Sequence, residues 1–283
     1  MKKKLLTISL SVALTCGLLS GCGTGSVSTA DRNVDTDTTT VQDTGADTNT
    51  AADSNTAVDS NTAVDSNNAT DSGADMTYDG KTTLTYCGHA GIKIVGKDGT
   101  VVYVDPNYYT GDYSAPADYV FVTHKHDDHQ PYHTVTYTEN GQLLTNEDML
   151  HDGIYEIKDF GNLTVEAVPA GGNQNHDVKY CVGYLITIDG LTIYHAGDTS
   201  KLDTMSELAD RHIDYALYPI DGKYNMDAVE ATEVAGIVGA KYNVPIHEFD
   251  NHQLDPAAPR KSDNFNPDGK LVLEYGETIV IGE

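Results

Sequence analysis

The sequence predicts a β-rich α/β domain in which two sheets are flanked by helices, with a disordered segment before the fold. Three observations predict this class. Short apolar runs separated by turn dipeptides fill the first half of the region 78–283. Strand-like and helix-like runs then alternate towards the C-terminus. Residues 23–77, in contrast, offer almost nothing that a core could bury.

The first 22 residues have the features of an export signal. Lys2, Lys3 and Lys4 precede an apolar stretch, 5–19, that is too short to span a bilayer comfortably. The stretch ends in Leu-Ser-Gly-Cys, which resembles the lipobox of bacterial lipoproteins, whose cysteine is diacylated and becomes the mature N-terminus. We therefore expect lipidation at Cys22 and attachment to the extracytoplasmic face of the cell membrane, as in Gram-positive lipoproteins. An ordinary secretory signal with an incidental cysteine is the alternative.

Residues 23–77 are predicted to be a disordered acidic tether. Asp, Thr, Ser, Asn and Ala dominate, no aromatic residue occurs, and an Asp-Ser pair recurs every six residues from Asp53 to Asp71. A calcium-binding repeat is the alternative, but one Asp in six residues supplies too few ligands.

Composition limits the partners of the chain. It has 43 acidic and 17 basic residues, a formal net charge of -26, which argues against nucleic acid and leaves a small-molecule substrate. The membrane is a partner only through the lipid anchor. Once Cys16 is cleaved off and Cys22 is lipidated, Cys87 and Cys181 remain, and we expect two buried thiols, although a pairing stays open. The sequence does not indicate an oligomeric state.

Strand signals begin near Tyr78. The runs 92–95 and 101–104 are joined by Asp98-Gly99, a favoured hairpin turn. The run 119–122 reads as a short buried strand. Further hairpins are predicted at Asn140-Gly141, Gly161-Asn162, Asp189-Gly190 and, between the runs 271–273 and 279–281, at Gly276.

Helices are predicted late in the chain. One face of the first carries Leu202, Met205, Leu208 and Ala209, and the second runs from Met226 to about Val238 with Asn225 as its cap. Strands at 215–218 and 242–244 alternate with them. No second folded domain is indicated in the region 78–283.

The segment 123–129, Thr-His-Lys-His-Asp-Asp-His, follows the predicted strand 119–122 directly. Three imidazoles and a carboxylate at a strand-to-loop edge are ligands for Zn²⁺, Mn²⁺ or Fe²⁺. The i, i+2 spacing lets His124 and His126 approach one ion. Asp128 and His129 then point elsewhere, towards a second ion.

The segment resembles the His-x-His-x-Asp-His motif of the metallo-β-lactamase superfamily, and further motifs follow in order. The resemblance implies a four-layer αββα fold and two divalent ions, Zn²⁺ first, with Mn²⁺ or Fe²⁺ as alternatives. It assigns His176 to the first ion, His247 to the second, and Asp198 to a bridge between them. Asp105 is similar to the residue that braces the metal loop from behind, and Thr199 belongs to the Gly-Asp-Thr segment around the bridging carboxylate.

Three segments resemble the branch that contains ascorbate-6-phosphate lactonase and phospholipase-D-type phosphodiesterases: 88–91, 194–199 and 219–227. Three features depart from that branch. Residues 130–150 are short and extended where relatives carry a helix, Asp221 replaces a glycine, and Glu248 with its neighbours replaces a tyrosine after the last histidine. We expect the last two departures to alter the substrate pocket rather than the metal ligands.

The predicted function is a lipid-anchored hydrolase in which a metal-bridging hydroxide attacks a small ester, lactone or phosphodiester. Asp128 is expected to act at the reacting centre, and His89, Lys223 and Tyr224 are candidates for protonating the leaving group. His89 is equally well explained as a packed histidine, and a structural role is favoured for the other two. His252 is the alternative last ligand.

Two other functions stay open. One is a lipoprotein that binds a metal or a ligand on the same fold without turnover, although the presence of all seven expected ligands argues against it. The other is a β-lactamase, which ranks lower because no cysteine stands near Asp198.

Overall fold

The computed structural model describes residues 79–131, 133–249 and 258–283. The predicted lipidation site Cys22 and the alternative ligand His252 lie outside these ranges. Fourteen strands are described, in chain order β1 (Thr83–Gly88), β2 (Gly91–Val95), β3 (Val101–Val104), β4 (Ala117–Phe121), β5 (Tyr137–Leu144), β6 (Leu150–His151), β7 (Ile154–Tyr155), β8 (Ile157–Asp159), β9 (Leu163–Pro169), β10 (Val182–Ile188), β11 (Leu191–His195), β12 (Tyr215–Pro219), β13 (Tyr242–Ile246) and β14 (Thr278–Val280). The α-helices are α1 (Asn146–Met149) and α2 (Ala228–Val238), and 3-10 helices span Asp127–His129, Asp203–Arg211 and Lys261–Asn264.

Two six-stranded sheets dominate the fold. The first has the order β14-β1-β2-β3-β4-β5 and the second β13-β12-β11-β10-β9-β8, while β6 and β7 form a small ribbon. Each sheet is antiparallel on one side and parallel on the other, as at β3-β4 and β11-β12. Parallel neighbours place their carboxyl ends at the same edge of a sheet, so the loops that follow them meet there.

The main core lies between the two sheets. Side chains of the first sheet, such as Leu84 and Ile92, pack against side chains of the second, such as Val165 and Leu217. On the outer face of the second sheet, α2 and the 3-10 helix Asp203–Arg211 cover a second cluster. Loops cover the corresponding face of the first sheet in the described part of the chain. The predicted β-rich α/β class is confirmed.

Three of the predicted hairpin turns are confirmed. The turns at Asp98-Gly99, Gly161-Asn162 and Asp189-Gly190 join neighbouring antiparallel strands. At Asp189-Gly190 both residues have positive φ, 53° and 82°. This is the backbone that a two-residue hairpin turn requires.

The hairpin predicted at Asn140-Gly141 is wrong. These residues lie inside β5, which pairs parallel to β4 with a register shift near Ala117. A Cβ at position 141 would lie 2.5 Å from the Ala117 carbonyl oxygen. The glycine therefore permits a close approach between strands, a role that a turn dipeptide does not reveal in the sequence.

The final hairpin at Gly276 is also wrong, because its two arms join different sheets. Leu271 N donates to Asn243 O beside the second sheet, whereas β14 pairs with β1 in the first. The C-terminal segment therefore connects the edges of both sheets.

The late helices are found with different boundaries. The first is the 3-10 helix Asp203–Arg211, which buries Met205 and Leu208 but leaves Ala209 exposed. The second, α2, begins two residues later than predicted, because Asp227 is its cap and accepts from Val229 N and Glu230 N. The segment 130–150 is largely extended as predicted, apart from the four-residue α1.

The membrane and cysteine predictions can be compared with the described residues. Among the helices described, none is long and apolar enough to cross a membrane. Cys87 and Cys181 are both buried free thiols, as expected.

Candidate metal centre

Loops at the strand ends bring the predicted ligands together. His124, His126, Asp128 and His129 follow β4, His176 follows β9, Asp198 follows β11 and His247 follows β13. His124, His129, His176, Asp198 and His247 are buried, His126 is exposed, and Asp128 is half-buried. Six of the seven, all but His129, line two adjoining cavities that share His126 and His176.

The first group of candidate ligands is His124, His126 and His176. One ligand atom from each lies within 4.8 Å of the others. His176 Nε2 is 3.3 Å from His126 Nδ1. Two of the three rings come from a segment of three residues, so the i, i+2 spacing has the effect that the sequence predicts.

The second group contains Asp128, His129 and His247, and His89 joins it. Their ligand atoms again lie within 4.8 Å of one another. His129 Nε2 is 3.9 Å from Asp128 Oδ2, and the His89 and His247 rings are 3.8 Å apart at their centroids. The local sequence predicts the first two members, whereas His89 is brought in by the turn after β1.

Asp198 lies between the two groups. Its Oδ2 is 3.3 Å from His176 Nε2 and 3.4 Å from His247 Nε2, and its Oδ1 is 3.4 Å from His129 Nε2. One carboxylate therefore contacts candidate ligands of both groups, which is the placement that a bridging ligand needs.

The residues fit divalent cations. Among the described residues, several buried atoms of the candidate ligands find no hydrogen-bond partner of good geometry, including Nε2 of His124, His129 and His247 and Oδ1 of Asp198. A buried polar atom without a partner is costly, so several of them converging on one place indicate a missing ligand. Imidazole nitrogen and carboxylate oxygen are donors that suit zinc, manganese or iron.

Hydrogen bonds from behind fix which ring nitrogen faces the centre. Asp105 Oδ2 accepts from His129 Nδ1 at 2.9 Å and from Thr123 Oγ1 at 2.7 Å. Thr123 Oγ1 in turn lies 3.0 Å from His124 Nδ1. Both histidines therefore use Nδ1 for support and direct Nε2 towards the centre.

Thr199 occupies a different position. Its hydroxyl oxygen lies 3.1 Å from Gly171 O and 2.7 Å from Ser200 O, and its one proton can be donated to either carbonyl. It thus links the loop after Asp198 to the loop that carries His176, and its hydrogen bonds do not reach a candidate ligand directly.

Charge in the cluster is balanced by protons when no ion is bound. Burial lowers the pKa of His124 and His176, so both are neutral. Burial also opposes charge on His247, but Asp198 and Asp221 outweigh it and raise the pKa of His247 to about 10. Burial likewise works against the carboxylate of Asp198, yet His247 and His129 hold its pKa well below its usual range.

Backbone strain concentrates at the same place. His89, Asp105 and His247 have φ values of 55°, 45° and 51°, in the left-handed region. Such conformations cost a non-glycine residue about 1–3 kcal/mol each and cluster at functional sites. His247 N donates to His89 O at 2.7 Å, so two of the strained residues support each other.

The three candidates for protonating a leaving group are placed differently. Tyr224 lines the cavity at the centre, which has a volume of about 240 Å³. Lys223 lies with its ammonium 4.6 Å from the centroid of the Tyr224 ring. His89 is fully buried and its Nε2 donates to Asp128 Oδ2 at 2.9 Å, while burial lowers its pKa to about 3. A neutral, enclosed His89 orients Asp128 rather than reaching a leaving group.

Asp221 is a site residue that the sequence did not predict. Its Oδ2 lies 3.2 Å from His247 Nδ1, and its Oδ1 accepts from the backbone of Lys223 and Tyr224. Its only signal in the sequence is the replacement of glycine by aspartate in the segment 219–222, from which we expect a change in the substrate pocket. The carboxylate also lies beside a candidate metal ligand, while its other oxygen holds the loop that carries Tyr224.

The fold and this cluster define the class of protein. Residues 83–247 match the family described as the beta-lactamase superfamily domain. A UPF0173 metal-dependent hydrolase from Geobacillus sp. (strain WCH70) is 30% identical over 227 residues, which span 69% of this chain and 98% of that protein. Another, from Methanospirillum hungatei JF-1, is 29% identical and spans 67% of this chain and 94% of that protein.

The chain therefore belongs to the UPF0173 metal-dependent hydrolase family, within the beta-lactamase superfamily. A solved structure, the metallo hydrolase Igni18 from the archaeon Ignicoccus hospitalis KIN4/I, superposes with a TM-score of 0.56. The match covers 72% of this chain and 99% of that chain at 23% identity. The predicted metallo-β-lactamase fold and the coarse prediction of a metal-dependent hydrolase are confirmed.

Proposed function

We propose that the protein is a hydrolase that works with two divalent metal ions. The first would be held by His124, His126 and His176, the second by Asp128, His129 and His247, with Asp198 shared. The observation that carries this proposal is the position of the Asp198 carboxylate, within 3.4 Å of imidazole nitrogens from both groups.

Zinc is our first candidate for both ions, with manganese or iron as alternatives. When bound, such ions lower the pKa of water to near neutrality and polarise a carbonyl or phosphoryl oxygen. Other residues of the chain orient the candidate ligands. Asp105 and Asp221 orient two histidines, and His89 orients Asp128.

Tyr224 is our candidate for protonating the leaving group. It lines the central cavity, whereas His89 is enclosed behind Asp128. The Lys223 ammonium over its ring is placed to hold the side chain at the cavity wall.

A small ester, lactone or phosphodiester fits the space at the centre. The central cavity of about 240 Å³ shares His126, Asn175 and His176 with a neighbouring cavity of about 540 Å³. The reacting group would occupy the first and the rest of the substrate the second, which Tyr180 and the Lys125–Glu147 ion pair border. The resemblance to the lactonase and phospholipase-D-type branch supports the same bond types.

We further propose that the enzyme acts outside the cytoplasm on a membrane tether. The basis is the lipobox-like segment ending at Cys22 and the polar segment 23–77 that follows it. Changing Cys22 to Ser should move the protein from the membrane fraction into the soluble fraction, and retention in the membrane would refute lipidation at this residue.

Metal analysis of the purified protein tests the two-ion site. We expect about two ions per chain, a loss of metal in the double variant His126→Ala/Asp128→Ala, and abolished turnover in His126→Ala. His212→Asn is the matched control, because His212 is an exposed histidine whose left-handed backbone asparagine tolerates. Intact metal content in the double variant would overturn the proposal.

A substrate screen tests the reaction class. Zinc- and manganese-loaded protein is offered aryl esters, lactones and phosphodiesters, with nitrocefin as the β-lactam. Turnover in one of the first three classes supports the proposal. Robust nitrocefin hydrolysis, or tight ligand binding with no turnover of any substrate, would favour the alternative functions.

A further inference from the structure

The two departures from the lactonase-like pattern, Asp221 and Glu248, lie on either side of one candidate ligand. His247 stands at the end of β13 in a strained left-handed conformation. Asp221 faces its ring, and Glu248 is the next residue along the backbone. Neither side chain is among the residues that line the central cavity.

Glu248 is anchored away from the cavity by both carboxylate oxygens. It is only 5% exposed, its Oε1 accepts from Ser262 N at 2.9 Å and from Ser262 Oγ at 3.0 Å, and its Oε2 accepts from Arg260 Nε at 2.9 Å. A buried carboxylate with all these partners is held in one orientation.

The segment that holds Glu248 also reaches the ring side of His247. Lys261 Nζ donates to Asp221 O at 2.8 Å, and the Asp221 carboxylate lies 3.2 Å from His247 Nδ1. Residues 260–262 therefore contact two neighbours of His247. One is Glu248, which follows His247 in the backbone, and the other is Asp221, which lies beside the His247 ring.

The segment is itself firmly attached to the fold. Ser262 is buried, and Phe265, at the end of the same 3-10 helix, is fully buried in the cluster under α2. Arg260 also contacts Glu274, whose segment continues into β14. The segment 260–262, which contacts Glu248 and Asp221 beside His247, is thus connected to the core between the sheets and to the cluster under α2.

We propose that Glu248, together with Arg260–Ser262, is a clamp that positions His247 for the second metal ion. Glu248 is a positioning residue, since it acts through the backbone of His247 and not on the substrate. The clamp predicts that loss of the Glu248 charge weakens the second ion selectively, because the first ion depends on His124, His126 and His176. This inference rests on the proposed two-ion site.

Stepwise titration of the metal-free full chain with Co²⁺, followed by its absorption spectrum, tests the clamp. In Glu248→Gln we expect the second ion to bind about 10–100-fold more weakly, the usual effect of removing a partner that orients a ligand. The first ion should bind as in the wild type. Arg260→Lys keeps a positive charge beside Glu248 and should restore part of the affinity that Arg260→Met loses.

Glu166→Gln is the matched control. Glu166, on β9, forms a carboxylate–guanidinium pair with Arg211, which ends the 3-10 helix Asp203–Arg211, outside the candidate centre. It should leave both affinities unchanged, which separates a clamp on His247 from a general loss of stability. Thermal unfolding of each variant checks that the fold is retained. If Glu248→Gln does not fold, the Co²⁺ titration of Arg260→Met tests the clamp in its place.

Several outcomes would overturn the clamp. These are a second-ion affinity within twofold of the wild type in folded Glu248→Gln and Arg260→Met, equal weakening of both ions, or the same weakening in Glu166→Gln. A wild-type chain that binds fewer than two ions would instead refute the proposed function.

Discussion

At the scale of single residues, Asp198 determines the electrostatics of the centre. Its carboxylate is 3% exposed and lies among the imidazoles of His129, His176 and His247. A buried charge of this kind requires a nearby opposite charge. Without an ion, protons on His129 and His247 provide it, whereas bound cations can do so directly. Metal binding should therefore release protons.

That exchange predicts a pH dependence of metal affinity. The pKa of His247 is raised to about 10 by Asp198 and Asp221, so the ring is protonated at pH 7 and the proton must leave before Nε2 can bind a metal. Affinity for the second ion should rise with pH from 6 to 8, about tenfold per pH unit for each proton displaced. Competition titrations with a zinc chelator measure this slope.

The Asp221→Asn variant provides the control for the proton exchange. It removes one of the two carboxylates that hold the proton on His247, so fewer protons should be released at pH 7. Calorimetry in two buffers of different ionisation enthalpy counts the released protons. A wild-type affinity that does not change with pH would contradict the predicted exchange.

Tyr224 gives the sharpest prediction about catalysis. If its hydroxyl protonates the leaving group, Tyr224→Phe should lower kcat about 10²–10⁴-fold for an alkyl leaving group, the usual range for lost general acid catalysis. A p-nitrophenyl leaving group needs no proton and should be affected little. Equal losses for both substrates would mean that Tyr224 only shapes the cavity. Tyr137→Phe is the control, because Tyr137 is an exposed tyrosine on β5 that lines neither cavity of the centre.

Most candidate ligands are predictable from the sequence because they lie in local motifs, whereas their supports are not. His124, His126, Asp128 and His129 fall within six residues. Asp221 and Glu248, in contrast, stand out in the sequence only as departures from a family pattern, which point to the substrate pocket. Their true partners, His247 and the segment 260–262, are up to 26 residues away along the chain, and only the folded structure brings them together.

At the scale of elements, turn chemistry predicts hairpins correctly where the turn itself decides the structure. Asp189-Gly190 adopts positive φ at both residues and joins β10 to β11. The same reasoning fails at Asn140-Gly141, where tertiary packing decides. There the glycine permits contact with Ala117, and β5 continues through it.

The cap of α2 leads to a prediction about the stability of the fold. Asp227 accepts from Val229 N at 2.9 Å and from Glu230 N at 2.8 Å. Asp227→Ala should lower the free energy of unfolding by about 1 kcal/mol, as loss of an N-cap does. Asp227→Asn keeps an acceptor and should cost less. Urea denaturation measures both, and unchanged stability in Asp227→Ala would contradict the assignment of the cap.

At the scale of the whole molecule, the two sheets contribute ligands to one centre. Asp128 and His129 follow a strand of the first sheet, whereas Asp198 and His247 follow strands of the second. A metal ion bound by residues of both would cross-link the sheets at their shared edge. Folding and metal binding should consequently be coupled.

Removal of metal should therefore destabilise the entire domain. At a free ion concentration one hundred times Kd, one site adds about 2.7 kcal/mol to the free energy of unfolding. For a domain of about 200 residues this corresponds to a rise in Tm of about 5–10 °C, and a second ion should add to it. Thermal unfolding of the protein before and after EDTA treatment measures the difference. In His126→Ala, with the first group of ligands incomplete, the zinc-dependent rise should shrink towards the value for one ion. A wild-type Tm that is the same with and without metal would show that the ions do not link the sheets, because ligands drawn from both sheets cannot bind an ion tightly without stabilising their association.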